Sequence, residues 1–220
     1  MITGARSPGS FAVRTRRCRA FTLVELLTVV AVLGILAAIL VPVVGRAHGA
    51  ARRAQVKVQF AQWAAALDAF RSEYGYYPDF AAALGGPPPA ACGLNDVPEL
   101  FVQTLAGRRA NGEAMNAPRA LAANPRRIAF LAFGADELTA EAVPAVCDAF
   151  GNTAIVLLVD RDGDGVIAVP TTPPAVEAAA TGALLAPPAG AFPAGGIRAP
   201  VAFYSAGAGR TADDIVCSWR

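Results

Sequence analysis

Two hydrophobic patterns follow one another in the first third of the chain. From Phe21 to Val44 the sequence reads FTLVELLTVVAVLGILAAILVPVV, 24 residues in which Glu25 is the single charge. A helix of that length, rising about 1.5 Å per residue, extends about 36 Å and can cross the hydrocarbon core of a bilayer. After Val44 the pattern changes. Val56, Phe60, Trp63, Leu67, Phe70 and Tyr74 are spaced 4, 3, 4, 3 and 4 residues apart, which places them on one helical face. Arg53, Lys57, Gln59, Gln62, Asp68, Arg71 and Glu73 lie between them. The pattern predicts one long helix with a membrane half over residues 21–44 and an amphipathic half over 45–75. The second half should pack its stripe on a soluble body. Gly75 and Pro78 supply the stop. Gly34 and Pro42 weaken the membrane half, because a proline removes a backbone donor and crowds the preceding turn. A kink is expected there.

Residues 76–220 read as a small antiparallel sheet with long loops, so the predicted class is α+β. Phe80 to Ala91 is rich in Ala, Gly and Pro and reads as loop. Val97 to Leu105 suggests a short helix begun near Asn95 or Asp96. Arg108 to Pro125 is polar and turn-rich. Ile128 to Phe133 reads as a strand or a buried extended segment, and Asp136 to Val143 as a brief helix. Ala154–Val159 and Val166–Val169 flank Asp160-Arg161-Asp162-Gly163-Asp164-Gly165, which predicts a hairpin with an acidic turn. Thr171 to Gly196 reads as an exposed loop. Pro200–Tyr204 and Ile215–Trp219 are the last predicted strands. No solenoid repeat is present.

Charge sharpens the division. Residues 1–20 hold Arg6, Arg14, Arg16, Arg17 and Arg19 and no acid, while the remaining chain has 14 basic and 17 acidic residues, net −3. A nucleic-acid-binding body would need a basic face and is not indicated. The arginine-rich flank should stay cytoplasmic by the positive-inside tendency, although Arg46, Arg52 and Arg53 on the far side oppose it. The apolar run is too long for the core of a cleaved secretory signal. A hydrophobic content of 55% against 16% charged residues excludes a disordered chain.

Glu25 does not suit a plain anchor, because a carboxylate in lipid costs a few kcal/mol and calls for a partner. A cut between Ala20 and Phe21 would create an α-amino group near the membrane surface, where it could neutralise Glu25 of a neighbouring copy. Arg19-Ala20-Phe21-Thr22-Leu23-Val24-Glu25-Leu26 resembles the processing site of type IV pilins and type II secretion pseudopilins. The resemblance implies cleavage before Phe21 by a membrane aspartyl prepilin peptidase and N-methylation of Phe21. The family usually has Gly before the cut, where this chain has Ala20, also small. Pro42 falls where the family commonly carries a proline, and the family melts that stretch on fibre assembly. Tyr74-Gly75-Tyr76-Tyr77-Pro78 is similar to the helix exit of pseudopilins. Asp148-Ala149-Phe150-Gly151-Asn152 resembles their DPWGNP segment, with Ala for Pro and Phe for Trp. Val201 to Gly207, Asp213-Asp214-Ile215 and Trp219 resemble their C-terminal calcium loop and last strand. These matches favour the major pseudopilin branch. They imply a cleaved leader over 1–20 and a periplasmic head over 76–220 on a single-pass inner-membrane anchor. The partners implied are copies of the chain, other pseudopilins, an assembly platform and its ATPase.

Two acidic loops are candidate calcium sites. In the C-terminal loop, Gly209 replaces the family's first Asp, Arg210 adds a positive charge and the loop is shorter. Asp213 and Asp214 remain as ligands or as turn caps. Asp160, Asp162 and Asp164 with Gly165 match the first half of an EF-hand-like loop, but the twelfth position is Thr171 and no helices are expected to flank it. A solvated acidic turn is the alternative. Catalysis finds little support. His48 is the single histidine and sits just past the membrane segment, and no glycine-rich phosphate loop appears. Cys18 leaves with the leader, so Cys92, Cys147 and Cys217 remain, with any one pair or none bridged. The sequence therefore predicts a structural, pilin-like membrane subunit. The rivals are a type IV pilus subunit and a calcium-binding membrane module that does not polymerise.

Overall fold

The computed structural model describes residues 21–78, 80, 91–160 and 162–220. The leader over 1–20 and most of the predicted loop over 80–91 lie outside the described residues. The chain divides into two compact units, Met1–Arg46 and Ala47–Arg220. One helix, α1, runs from Leu23 to Tyr74. It remains helical through Gly34 and Pro42, and ends where Gly75 takes a left-handed φ of 82° and donates its N–H to the Arg71 carbonyl at 2.7 Å.

In the second unit β1 is Ala91–Gly93, α2 Pro98–Ala106, α3 Pro118–Ala123, β2 Ile155–Val159, β3 Val176–Glu177, β4 Leu184–Leu185, β5 Val201–Ser205 and β6 Val216–Cys217. The main sheet has the order β1-β2-β5-β6 and is antiparallel throughout, with Cys92 opposite Leu157, Leu157 opposite Phe203 and Tyr204 opposite Cys217. Side chains alternate faces along a strand. Cys92, Ile155, Leu157, Val201, Phe203 and Val216 therefore share one face with the α1 stripe of Val56, Phe60, Trp63 and Leu67. Trp63 meets Phe101 at 5.5 Å and Phe203 at 5.7 Å between ring centroids, both edge-on. Phe60 stacks on Phe203 at 5.5 Å.

The other face is covered as well. Val156, Leu158, Ala202, Tyr204 and Cys217 pack under Ile167, Val176, Ala178, Ala191, Phe192 and Ile197. The region read from sequence as an exposed loop over 171–196 instead builds the β3–β4 hairpin and roofs the sheet. The reason lies in β2 and β5, where Ile155–Leu158 and Val201–Ser205 are buried at every position. A strand apolar on both faces needs two covering layers.

Other expectations are also revised. β2 does not form a hairpin with 166–169, because both its edges are taken by β1 and β5. Ile167 pairs with Ile197 instead. The brief helix at 136–143 is one 3-10 turn, Ala135–Glu137, after which Leu138 bridges to Val146. Residues 128–133 form neither a strand nor a buried segment: the chain bends at Phe130, and Phe130 and Leu131 both donate N–H groups to the Leu105 carbonyl. The polar stretch 108–125 contains α3, started by Pro118 at its first position. The α2 helix follows the prediction within a residue, with Val97 as its cap and no side-chain cap from Asn95 or Asp96.

Candidate functional site

Helix α1 starts with a cap. The Thr22 hydroxyl accepts the Glu25 N–H at 3.2 Å, and the Thr22 carbonyl accepts the Leu26 N–H at 3.2 Å. Thr22-x-x-Glu25 has the spacing of a capping box, which puts Glu25 in the first turn, where the helix dipole favours a carboxylate. The Thr28 hydroxyl donates to the Glu25 carbonyl at 2.9 Å. Glu25 is exposed and forms no ion pair among the described residues. Every residue from Phe21 to Val44 is exposed. The helix contains a window of mean hydropathy 2.9, long and apolar enough to span a bilayer. Pro42 lies inside it without a break in the helical assignment. Ala20, on the other side of the expected cut, lies outside the described residues.

The first acidic loop closes on its own backbone. Asp160 is buried, and its two carboxylate oxygens accept the N–H groups of Gly163 and Gly165, each at 2.9 Å. Gly163 and Gly165 take φ of 77° and 85°, which a side chain would strain. Oxygens of Asp160, Asp162 and Asp164 lie within 4.8 Å of one another. Two oxygens on one calcium are at most about 5 Å apart, so this spacing is compatible with a shared ion. Burial pushes the Asp160 carboxyl up, but hydrogen bonds from Gly165, Asp162 and Gly163 outweigh it and hold the group below its ordinary value. The shared bond with Asp160 raises Asp162.

The C-terminal loop is built differently. Asp214 forms an ion pair with Arg53 of α1 through one carboxylate oxygen. Its other oxygen accepts the N–H groups of Arg210 at 3.0 Å and Thr211 at 3.2 Å. The carbonyls around the loop also have donors: Asn152 Nδ2 reaches Gly207 at 2.9 Å, the Thr181 hydroxyl reaches Gly209 at 2.8 Å, and the Gly209 N–H reaches Ala206 at 3.1 Å. A Cβ on Gly209 would lie 2.3 Å from the Ala178 Cβ, so this glycine lets the β3–β4 hairpin close over the loop.

Asp148, in the segment resembling DPWGNP, is buried. It accepts N–H groups from Phe150 and Asn152 and the hydroxyl of Ser205 at 2.6 Å, while Asn152 also accepts the Ala179 N–H. This network ties the start of β2 to β5 and to the hairpin. Cys92, Cys147 and Cys217 are buried and no disulfide joins any two of them. Burial pushes the Cys217 thiol up to about 11 and raises Cys147 as well. His48 is exposed. Sequence reasoning passed over the Thr22 cap, although the T-x-x-E spacing signalled it. It passed over Arg53 because nothing in a linear pattern joins positions 53 and 214.

Residues 15–41 match the family model described as the prokaryotic N-terminal methylation motif. No curated protein and no solved structure matches the chain. The methylation motif covers the expected cut at Ala20-Phe21, together with Glu25 and most of the apolar run. It supports a type IV pilin-like subunit that is processed by prepilin peptidase and assembles with other such subunits. The motif followed by one apolar helix is consistent with a single-pass membrane anchor.

Proposed function

We propose that this chain is a structural subunit of a periplasmic type II secretion pseudopilus, of the major pseudopilin type. Prepilin peptidase removes residues 1–20 and methylates Phe21. The new N-terminus then pairs with Glu25 of a neighbouring copy in the membrane, and the helices polymerise on an inner-membrane platform driven by a cytoplasmic ATPase. The observation that carries this reading is the methylation motif at 15–41 together with a helix exposed at every position from Leu23 to Val44 and charged only at Glu25. A helix apolar all round needs lipid or other helices as its partner. The C-terminal resemblance at residues 201–219 favours the secretion branch over adhesive pili.

Mass spectrometry of the membrane-extracted protein tests the processing, with a chain beginning at N-methylated Phe21 expected. A mature chain retaining Cys18 and Arg19 overturns the reading. Deleting the gene separates the two branches: the proposal expects exported proteins to accumulate in the periplasm, and loss of surface fibres with normal export would assign a type IV pilus subunit. Independently of that reading, we propose from the D-x-D-x-D-G pattern and the spacing of the three carboxylates that Asp160, Asp162 and Asp164 share a calcium ion, which neutralises three acids crowded within five residues.

A further inference from the structure

We propose that Arg53 is the resident cation of the C-terminal loop, occupying the role that the pseudopilin resemblance gives to calcium. The proposal rests on that resemblance for the loop's identity and on the local geometry for its content. A calcium site needs six to eight oxygens with lone pairs aimed at a common point. In this loop one Asp214 oxygen is held by the Arg53 guanidinium, whose positive charge stands where a metal would have to approach, and the other accepts the amides of Arg210 and Thr211. The Asp160 oxygens of the first acidic loop, by contrast, accept neutral amides. The carbonyls of Ala206, Gly207 and Gly209, which a metal could recruit, already accept bonds from Gly209, Asn152 and Thr181. The position of the family's first Asp is Gly209, packed against Ala178 so closely that no side chain fits. Asp213 is thus the one remaining carboxylate of the pair, and one carboxylate is a poor calcium set.

Arg53 does more than neutralise charge. It projects from α1, three residues before Val56 in the buried stripe, so its ion pair ties the helix to a loop 161 residues further along the chain. A metal held within the loop makes no such tie. The Asp214 side chain is 15% exposed and that of Arg53 42%, so the pair is shielded on the carboxylate side and wet on the other. The β3–β4 hairpin completes the closure through Thr181 and Ala178. In this chain a helix-borne guanidinium and a hairpin do together what an ion does in the loop it resembles.

Hydrogen exchange read by mass spectrometry on the full chain in detergent tests this directly, because the amides of Arg210, Thr211 and Asp214 all lie inside the loop. In the wild-type protein, exchange over 206–215 should be the same in chelator and in millimolar calcium. Arg53→Met, which keeps the apolar stem, should speed it about threefold or more, the size of a partly exposed ion pair. Arg53→Lys should restore much of the protection. Calcium-dependent slowing of 206–215 in the wild-type protein overturns the proposal, as does an Arg53→Met profile equal to wild type. If Arg53→Met does not fold, the wild-type comparison of chelator and calcium decides alone. The mature N-terminus is read in the same spectra. A processed chain with a calcium-responsive loop refutes only the role of Arg53, whereas an unprocessed chain refutes the pilin reading.

Discussion

Helix α1 contains two halves that differ in charge, in pattern and in burial. None of its residues from Leu23 to Val44 is buried, whereas seven from Val56 to Phe70 are. The difference is one of content and of period, since residues 23–44 hold one charge, Glu25, and residues 45–74 hold seven. The second half concentrates its large side chains on one face, and that face finds Leu157, Phe203 and Phe101 in the same chain. The first half is apolar on every face, so no single layer of its own chain could cover it, and its partner must come from outside. Content marks the half with no polar face to show to water; the distribution around the helix marks which face of the other half its own chain buries.

The largest test of that contrast sets one half against the other. Trp63→Ala should destabilise the second unit by about 3–5 kcal/mol, the usual range for deleting a buried tryptophan. Leu33→Ala should leave its denaturation midpoint unchanged. A comparable loss from both variants would erase the distinction between the halves. Next in size is Glu25→Val. It should insert and be processed normally yet reduce fibre yield at least about tenfold, since a lipid-embedded charge pair is worth a few kcal/mol. Normal fibre yield would show that the lone charge of the first half is not used in docking.

The two acidic loops extend the comparison within the second unit. Calcium should raise its stability by about 1.4 kcal/mol when the free ion is about tenfold above the dissociation constant. Asp162→Asn/Asp164→Asn should remove that gain and Asp213→Asn should keep it. Melting curves indifferent to calcium and chelator would leave both loops metal-free. A smaller effect comes from pH. Asp160 titrates below its ordinary value, so its contribution is complete above the usual carboxylate range, near pH 4, and disappears as pH falls through its depressed value. Asp160→Asn should therefore melt lower than wild type at neutral pH, and the two curves should converge in acid. Asp162 is raised by its bond to Asp160, so its contribution has the opposite sign and is lost as pH rises; Asp162→Asn without calcium should melt no lower than wild type at neutral pH. The smallest expected signal is at the thiols. With Cys217 pushed up to about 11 by burial, alkylation of the folded protein at neutral pH should be slow and should follow unfolding.

Much of the fold was readable because local pattern and burial coincide in α1, α2, β2, β5 and β6. The misreadings share a cause. Residues 171–196 look like surface loop by composition, and only the two-sided burial of β2 and β5 turns them into a roof. The uninterrupted apolar run Ile155-Val156-Leu157-Leu158-Val159 carried that signal, because a strand with one wet face would alternate. Apolar flanks make the acidic turn look like a hairpin in sequence. Asp160, by accepting the amides of Gly163 and Gly165, curls the chain into a closed loop and sends Ile167 to Ile197.

Position by position, the sequence alone determined the N-terminal chemistry. Arg19 to Leu26, the length of the apolar run and the isolation of Glu25 are properties of consecutive residues, and a peptidase or a bilayer reads them in that form. The capped helix start at Thr22 belongs to the same class, since its partners are three and four residues apart. Tertiary structure decided what covers each face of the sheet and what closes each acidic loop. Arg53 and Asp214 are 161 residues apart, and Gly209 meets Ala178 only once the hairpin has folded over it. Such contacts depend on which surfaces are left uncovered after the strands pair, and that is a property of the whole packed unit.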